Sequence, residues 1–354
     1  IDLRLQYLAY RTLKSAIKTH NARSGSIVVL DVGTGEVLAM VNQPTYNPND
    51  RSQLAAERYR NRAITDIFEP GSSIKPLVAA AAIESGQYGP SSIVDTAPGF
   101  VVVGPKKIED ADNLGRISLT TILARSSNVG ITKLAMTLQP DQLWETMAEF
   151  GLGTLTSSGF PGESAGMLSH FSNWRPISQA TLAYGYGVSV TPLQLAQAYA
   201  TLGNGGMLRP VSLIALDAPA EGTQVVTTDT ADTIRNMLEE VVQPGGTGNK
   251  AAIDGYRVAG KTGTAWKFGT GGYSQDKYIS IFAGLAPASD PRLATIVVID
   301  EPGGELYYGS DVAAPVFADV MAESLRLLAV PPDALPVRDS DSVMQAMASR
   351  PETQ

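Results

Sequence analysis

Three short residue patterns could form the reactive centre of an acyl-transfer enzyme. The first is Ser72-x-x-Lys75, which follows a Pro70-Gly71 break and opens an almost entirely apolar run at residues 74–83, as in a buried helix. A serine at a helix start meets the positive end of the dipole and unpaired backbone N–H groups, which favour developing negative charge. Lys75 lies one turn on, where its amine can reach the hydroxyl. Burial near a second cation would lower its pKa and let it act as a base.

The Ser-x-x-Lys spacing alone is a weak signal, because two other pairs share it. Ser15 and Lys18 lie on the polar side of the first predicted helix, where solvated side chains are expected. Ser274 and Lys277 lie in a polar loop with nothing to orient them. On local context, a capping serine and a surface lysine would explain the pair at 72 and 75 equally well.

Two further patterns change that balance. Ser126-Ser127-Asn128 lies between apolar helical runs and is the only Ser-x-Asn in the chain. The segment 261–264, Lys-Thr-Gly-Thr, holds the only Lys-Thr-Gly and falls on a predicted strand. Lys261 on such a strand can bind a substrate carboxylate, and the neighbouring hydroxyls add hydrogen bonds. Gly263 would allow a ligand to approach the backbone closely.

Two motif matches point to other functions, and their contexts disfavour both. Residues 255–262 fit the phosphate-loop pattern GxxxxGK[ST], but β-like residues lie inside the pattern and Gly263 follows, where a helix should begin. Residues 162–166 fit the nucleophile-elbow pattern around Ser164. Pro161 precedes it in place of a buried strand, and His170 follows almost at once, so a turn is the better interpretation.

The remaining sequence predicts the elements that must position these residues. Residues 3–17 have apolar side chains at helical spacing with basic residues between them, which indicates an amphipathic helix. Two β-rich runs at 26–31 and 36–42, joined by Gly33-Thr34-Gly35, predict a hairpin. Helical patterns follow at residues 73–85, 119–137, 142–150, 191–202 and 230–242.

Strand patterns return late in the chain. Runs rich in β-branched and aromatic residues predict strands at 256–266, 278–286 and 292–300, and residues 315–328 predict a closing helix. The tail from Pro331 contains Pro, Asp and Ser and is expected to be poorly packed. This order predicts an α+β fold in which helices cover a mainly antiparallel sheet.

Composition excludes several classes of protein. With 354 residues, 44% hydrophobic and 18% charged, the chain can bury a large core. A net charge of -8 argues against nucleic acid as a partner. Because there is no cysteine, thiol nucleophiles, disulfides and thiolate metal sites are excluded. His20 and His170 are the only histidines, which rules out a poly-His metal centre.

In their order along the chain, the three patterns resemble the signature of penicillin-binding proteins and serine β-lactamases. The resemblance covers nearly the whole chain up to about Ala329. It is similar in most detail to the class B, division-specific penicillin-binding proteins, on stretches at residues 61–63, 68–72, 174–178, 183–196 and 202–206. It implies an α+β fold of the β-lactamase and transpeptidase type, with a mainly antiparallel five-stranded sheet covered by helices and an additional all-helical subdomain.

The resemblance also implies residue roles. Ser72 would attack the carbonyl between the two terminal D-alanines of a peptidoglycan stem peptide, with Lys75 as the base. Ser126 would relay protons toward the leaving group, with Lys261 nearby. Asn128 would bind the substrate amide. An amine from a second stem peptide would then take the acyl group, and β-lactam antibiotics would acylate the same serine.

Further roles fall on the predicted late strands. Thr262 and Thr264 would bind the terminal carboxylate, and the backbone N–H groups of Ser72 and Thr264 would form the oxyanion hole. Tyr307 and Tyr308, which follow the last predicted strand and precede the closing helix, either wall the cleft or are ordinary aromatics at a strand end. The chemistry implied by the resemblance requires no metal and no organic cofactor.

Rival functions remain at this stage. A serine β-lactamase must deacylate with water, which in class A enzymes involves a loop glutamate, and Glu163 among turn residues is a weak candidate. A D,D-carboxypeptidase would also transfer the acyl group to water. Two rivals come from another class of protein. A non-catalytic β-lactam sensor would be acylated without turnover, and a wall-binding scaffold would not be acylated at all. All three patterns are nevertheless intact in this chain.

We expect three parts in the chain: a helix at 1–22 that joins a missing upstream domain, a transpeptidase domain at 23–330, and a flexible tail at 331–354. The chain opens with Ile1 and has no signal-peptide pattern, so we interpret it as part of a longer protein whose membrane anchor lies upstream. The resemblance implies a catalytic domain on the periplasmic side of the bacterial inner membrane. It also implies a SEDS-type glycosyltransferase and other division proteins as partners.

Overall fold

The computed structural model describes residues 1–50, 56–269 and 271–334. Its central feature is a five-stranded antiparallel sheet with the strand order β11-β12-β13-β1-β2. The strands of this sheet are β1 (Ser24–Asp31), β2 (Val37–Gln43), β11 (Ala259–Gly269), β12 (Gly272–Ala286) and β13 (Leu293–Asp300). Shorter strands pair two by two elsewhere: β3 (Ile93–Asp95), β4 (Phe100–Val103), β5 (Lys106–Glu109), β6 (Arg116–Ser118), β7 (Met167–Leu168), β8 (Val188–Ser189), β9 (Met207–Leu208) and β10 (Thr223–Gln224).

The helices come before, between and after the strands of the main sheet. They are α1 (Leu3–Thr19), α2 (Ala56–Tyr59), α3 (Arg62–Thr65), α4 (Lys75–Glu84), α5 (Leu119–Ala124), α6 (Asn128–Ala135), α7 (Pro140–Glu149), α8 (Pro176–Leu182), α9 (Pro192–Gly203), α10 (Thr228–Val242), α11 (Gly309–Val312) and α12 (Ala314–Leu327). The expected α+β fold with a five-stranded antiparallel sheet is therefore confirmed. The helical part also carries short two-stranded sheets, such as β3 with β6 and β4 with β5, which the sequence did not predict.

The sheet separates two hydrophobic cores, because successive side chains of a strand point to opposite faces. In β1, Ile27 and Val29 pack with helices α1 and α12. Val28 and Leu30 face the other way, into a larger core that includes α4 and α9. The all-buried pattern of β1 follows from this double cover, and its run of β-branched and aliphatic residues suits a strand buried on both faces.

Helix α1 closes one edge of the sheet. The Gln6 side chain donates to the Met40 carbonyl and accepts from the Met40 N–H, both at 2.8 Å, so it satisfies backbone groups at the outer side of β2. The inner face of α1 buries Leu5, Leu13 and neighbouring apolar residues against the sheet. The predicted helix at 3–17 and the predicted β1–β2 hairpin are confirmed.

The helical pattern at 119–137 is interrupted, which corrects the single run that periodicity predicts. Helix α5 ends at Ala124 and α6 begins at Asn128, and between them Ser126 has a φ of +57°. A non-glycine residue in this left-handed region is uncommon and costs conformational energy. The break separates α5 from α6 and gives α6 its own N-terminus at Asn128.

The C-terminal part differs from expectation at one point. Residues 331–334 are hydrogen-bonded to the domain: Asp333 accepts from the Arg257 N–H at 2.7 Å and from the Ser289 hydroxyl at 2.7 Å. The rest of the tail expected at 331–354 lies outside the described residues. Within those residues, no helix combines the length and apolar character that crossing a bilayer requires.

Candidate active site

The turn that carries Ser72 is held in place by buried polar contacts. Gly71–Ile74 forms a 3₁₀ turn that runs into α4 at Lys75, so Ser72 precedes the N-terminus of that helix as predicted. The Ser73 hydroxyl donates to the Pro70 carbonyl at 2.7 Å. The hydroxyl of the fully buried Tyr199 donates to the Ser73 carbonyl at 2.8 Å. These buried contacts hold the turn in place, while Ser72 itself stays partly exposed to the cleft.

The loop that contains Gly185 packs directly against this turn, with the two backbones in contact. The Gly71 N–H donates to the Gly185 carbonyl at 3.2 Å. Gly185 has a φ of +89°, and a Cβ atom built on it would lie 2.1 Å from the Gly71 carbonyl oxygen. Only glycine fits at this position, for steric reasons and for its backbone conformation.

Lys75 is fully buried and binds the Ser126-Ser127-Asn128 segment. Its Nζ lies 2.6 Å from the Ser126 carbonyl oxygen, 3.2 Å from the Ser126 hydroxyl and 2.8 Å from Asn128 Oδ1. The Ser72 hydroxyl is not a hydrogen-bond partner of Lys75 among the described residues, so the amine is held toward Ser126 in this state. Burial and the charge of Lys261 hold the pKa of Lys75 well below its ordinary value, with Asp110 opposing them.

Asp110 organises the segment that Lys75 binds, and the sequence reading missed it. Its carboxylate accepts from the Ser127 hydroxyl at 2.5 Å and from the backbone N–H groups of Asn128, at 2.5 Å, and Val129, at 3.0 Å. An acidic side chain on the free N–H groups of a helix start is stabilising, because it satisfies those donors and opposes the dipole. Asp110 therefore fixes the start of α6, and with it the side chain of Asn128.

Strand β11 forms the opposite wall of the cleft and carries residues 261–264. Lys261 is fully buried, and burial lowers its pKa to about 7. The Thr262 hydroxyl donates to the Thr247 hydroxyl at 3.0 Å, and the Thr264 hydroxyl accepts from the Gly309 N–H at 2.9 Å. Both threonines line a cavity together with Ser72. The phosphate-loop pattern ends inside this strand, so it lacks the helix N-terminus that a phosphate site needs.

Because β11 is an edge strand, alternate N–H groups have no strand partner and point into the cleft. The Trp266 N–H donates to the Tyr186 hydroxyl at 3.2 Å, away from β12. Thr264 lies two residues earlier in a regular part of the pairing, so its N–H points the same way. This direction leads toward the turn that carries Ser72, since β11 packs on that turn at Gly263 and Thr264.

Strand packing explains the glycine at position 263, where the sequence suggested the close approach of a ligand. A Cβ atom at this position would lie 2.9 Å from the Pro70 carbonyl oxygen and 3.2 Å from Ile281 Cβ. The absence of a side chain therefore allows β11 to pack directly against the segment before Ser72. Residue 263 sets the width of the cleft through this backbone contact.

Two cavities meet at Ser72. The first, which we call the polar cavity, has a volume of about 280 Å³ and a lining that includes Asp110, Ser126, Asn128, Thr262 and Thr264. The second, which we call the aromatic cavity, has a volume of about 230 Å³ and is lined by Ser72, Asn128, Tyr184, Tyr186, Thr264, Trp266, Tyr278, Tyr307 and Tyr308. The serine thus lies where a substrate can extend in two directions.

Tyr307 and Tyr308 both line the aromatic cavity, which favours the cleft-wall interpretation over that of ordinary strand-end aromatics. The Tyr307 ring stacks on Tyr278 with 4.0 Å between centroids and an interplanar angle of 17°. The Tyr307 hydroxyl donates to that of Tyr308 at 3.1 Å. Trp266 and Tyr278 were not identified from the sequence, because neither belongs to a recognisable short motif. Tyr184 and Tyr186 lie in the stretch 183–196 that resembles the family, but no role was assigned to them there.

The two weak candidates from the elbow region lie outside both cavities. The Glu163 carboxylate accepts from the Thr156 N–H at 2.7 Å and from the hydroxyls of Thr156 and Ser158 at 2.5 and 2.7 Å. These bonds fold its own loop. The Ser164 N–H donates to the Ile64 carbonyl at 3.0 Å, as part of a turn. Across the described residues, no cluster of three or more His, Cys, Asp or Glu could hold a metal ion.

Comparison with known proteins agrees with this geometry. Residues 25–322 match the family described as penicillin binding protein transpeptidase domain. The chain is 46% identical over 341 residues to peptidoglycan D,D-transpeptidase FtsI of Escherichia coli (strain K12), covering 96% of this chain and 58% of that protein. It is 42% identical over 332 residues to the probable peptidoglycan D,D-transpeptidase PenA of Neisseria meningitidis serogroup A, covering 94% and 57%. The chain thus spans little more than half the length of these relatives.

A solved structure shows the same fold. The transpeptidase domain of penicillin-binding protein 3 from Burkholderia pseudomallei, in its apo form, superposes with a TM-score of 0.87 at 41% identity. The match covers 95% of this chain and 97% of that one. The resemblance to the class B, division-specific penicillin-binding proteins is confirmed by these relatives. Because the family matches most of the chain and its relatives align with nearly all of it, the protein belongs to the penicillin-binding protein transpeptidase domain family.

Proposed function

We propose that this protein is a peptidoglycan D,D-transpeptidase that cross-links stem peptides during septal cell-wall synthesis through a Ser72 acyl-enzyme, and that β-lactam antibiotics acylate the same serine. The observation that carries the proposal is the arrangement around Ser72. A buried lysine with a lowered pKa is hydrogen-bonded to Ser126 and Asn128, and strand β11 presents Thr262 and Thr264 across the cleft.

In the acylation step, the Ser72 oxygen attacks the carbonyl between the two terminal D-alanines. Neutral Lys75 takes the hydroxyl proton, and the burial that lowers its pKa favours this unprotonated form. The amine must turn from Ser126 toward Ser72 for this transfer, which a flexible lysine side chain allows. The N–H groups of Ser72 and Thr264 bind the developing oxyanion.

The leaving D-alanine departs into the polar cavity. The Thr262 and Thr264 hydroxyls bind its carboxylate, and Lys261 in its protonated form supplies positive charge behind them. When the C–N bond breaks, the leaving amine takes a proton through Ser126, whose hydroxyl lies 3.2 Å from Lys75 Nζ. Asn128 binds the amide of the acyl group. The products are free D-alanine and an ester on Ser72.

The second half-reaction reverses this chemistry with a different amine. An amine from a neighbouring stem peptide attacks the ester carbonyl and transfers its proton through Ser126 to Lys75. The Ser72 oxygen is then displaced and takes this proton back from Lys75. A new peptide bond forms and the serine is regenerated. In a β-lactam, the leaving nitrogen stays tethered to the acyl group and blocks the entry of this amine.

The cellular setting is part of the proposal. We place the chain on the periplasmic side of the bacterial inner membrane. A SEDS-type glycosyltransferase and other division proteins would be its partners, and peptidoglycan stem peptides its donor and acceptor. Its similarity to FtsI and PenA over nearly its whole length supports this assignment.

The test is intact-protein mass spectrometry after incubation with benzylpenicillin, for wild type and Ser72→Ala, followed over hours. We expect a single persistent adduct on wild type and none on Ser72→Ala. An adduct that disappears quickly while penicilloate accumulates would instead identify a β-lactamase. Absence of an adduct on folded wild type would contradict the acyl-enzyme proposal and favour a binding or scaffold role.

A further inference from the structure

A chain of aromatic rings leads out of the aromatic cavity toward the tip of the β11–β12 hairpin. Tyr186, which lines the cavity, contacts Trp266 with 6.4 Å and Tyr273 with 5.2 Å between ring centroids. Tyr273 in turn contacts Phe268 with 5.3 Å between centroids, edge to face. The rings therefore form one continuous apolar surface that begins beside Ser72 and ends on the hairpin.

The outer rings of this chain are exposed to solvent. Trp266 is 49% exposed, Phe268 71% and Tyr273 41%. A cluster of large exposed rings that continues from a catalytic cleft is typical of a ligand-binding surface, whereas single exposed apolar residues need no explanation. We call Trp266, Phe268 and Tyr273 the hairpin platform.

The platform is held in a fixed orientation. The Tyr273 hydroxyl donates to Glu69 Oε1 at 2.9 Å, and the Gly187 N–H donates to the same oxygen at 2.7 Å. Glu69 lies three residues before Ser72, so Tyr273, near the start of β12, is tied directly to the turn that carries Ser72. A binding surface that is already ordered loses little conformational entropy when its ligand binds.

The path of the donor peptide along β11 indicates which ligand would occupy the hairpin platform. With the terminal carboxylate at Thr262 and the scissile carbonyl at Thr264, the donor chain continues along β11 toward Trp266 and then Phe268. Four strand residues from Thr264 to Phe268 span about 13 Å. About four residues of a stem peptide separate the scissile carbonyl from the glycan, which is roughly 13–14 Å when the chain is extended. The sugar that carries the stem therefore reaches the platform.

We propose that the hairpin platform binds the sugar rings of the donor glycan strand, so that the protein recognises a stem peptide together with the saccharide to which it is attached. This inference rests on the proposed function. Pyranose rings have an apolar C–H face that suits flat aromatic side chains, and tyrosine and tryptophan add polar edges for the hydroxyl groups. Phe268 and Trp266 supply the stacking faces, and Tyr273 anchors them to the cleft.

The test measures equilibrium binding in a Ser72→Ala background, which needs no turnover. Two probes are compared: a stem peptide that carries its disaccharide, and the same peptide with an acetylated N-terminus. We expect the disaccharide to tighten binding about three- to tenfold, the range for a few stacked rings. Phe268→Ala should remove most of this difference. Tyr7→Ala, which removes a ring that is 65% exposed on α1, should leave it unchanged.

Each outcome of this binding experiment tests the hairpin platform and not the acyl-enzyme chemistry. Equal affinity for the two probes in the Ser72→Ala protein overturns the proposal, as does an equal loss for both probes in Phe268→Ala. A change in self-association on Phe268→Ala, without a change in the ratio, assigns the platform to contact with a second copy. The benzylpenicillin adduct on Ser72 is measured separately in Phe268→Ala, so failure of the acyl-enzyme chemistry is distinguished from failure of the platform.

Discussion

The two cavities on either side of Ser72 are organised by different forces. In the polar cavity, hydrogen bonds that Asp110 accepts and Lys75 donates fix the segment at Ser126 and Asn128. In the aromatic cavity, ring contacts such as that between Tyr278 and Tyr307 fix the wall. Hydrogen bonds of charged groups depend steeply on geometry and protonation, whereas ring contacts depend mainly on area. Changes in the polar cavity should therefore alter the rate for every substrate, and changes in the aromatic cavity should discriminate between substrates.

The largest effect is expected from Lys75→Met, which keeps the length and burial of the side chain but removes the proposed base. Acylation by benzylpenicillin should slow by about 10²–10⁴-fold, the range for loss of a general base. Stopped-flow or mass-resolved kinetics would measure it. The matched variant is Lys133→Met on α6, a partly exposed lysine outside both cavities, which should retain the wild-type rate.

A pH dependence of stability should come from the second buried lysine. The pKa of Lys261 is about 7 in the folded protein because of burial, against about 10.4 for an unfolded lysine. Between these values the unfolded chain binds a proton that the folded chain lacks. The free energy of unfolding should therefore rise with pH, by at most about 1.4 kcal/mol per pH unit from this group.

Urea unfolding between pH 7 and pH 9 would test this dependence. Lys261→Met should reduce the slope of unfolding free energy against pH. Lys250→Met, which removes an exposed lysine paired with Asp311, should not. If the two variants show the same slope as wild type, the low pKa of Lys261 is wrong.

A smaller effect is expected from Asp110→Asn, which keeps the shape of the side chain but removes its charge at the start of α6. The loss should lower the unfolding free energy by about 0.5–2 kcal/mol and slow acylation by up to about tenfold, because Asn128 is held less firmly. Asp229→Asn, in the first turn of α10, is the matched change away from the cleft. Slowing should appear with every β-lactam in Asp110→Asn and with none in Asp229→Asn.

The smallest effect is expected from Tyr307→Ala, which opens the aromatic cavity. Acylation by benzylpenicillin, which has an aromatic acyl group, should fall about three- to tenfold, the value of a lost ring contact. Acylation by 6-aminopenicillanic acid, which has no acyl group, should change much less. Equal loss with both compounds would remove the distinction between the two cavities.

The sequence could predict those parts of the site that depend on short-range order. Ser72 and Lys75 share one helical turn, and residues 261–264 share one strand, so spacing and periodicity identify them. The strands β1 and β13 were predictable for the same reason, since both are continuous aliphatic and β-branched runs. The order of the three residue patterns along the chain then indicated the family.

The remaining parts depend on contacts between segments that no local pattern relates. Asp110 reaches Asn128 across 18 residues, through the position of the β4–β5 hairpin. The break at Ser126 overrides an apolar periodicity that would otherwise predict one helix, because Asp110 binds the new helix start. Likewise, Glu69 and Tyr273 lie 204 residues apart, and only the folded sheet brings them together.

The contact between Gly185 and Gly71 has a consequence for how such a protein can change over generations. A Cβ atom at residue 185 would lie 2.1 Å from the Gly71 carbonyl oxygen, so any substitution there must displace the turn that presents Ser72. Under the proposed function, a change at residue 185 would therefore impair acylation of Ser72 by stem peptides and by β-lactams alike. The ring-bearing walls differ in this respect, because a side chain such as that of Tyr307 can be exchanged without moving the turn that carries Ser72.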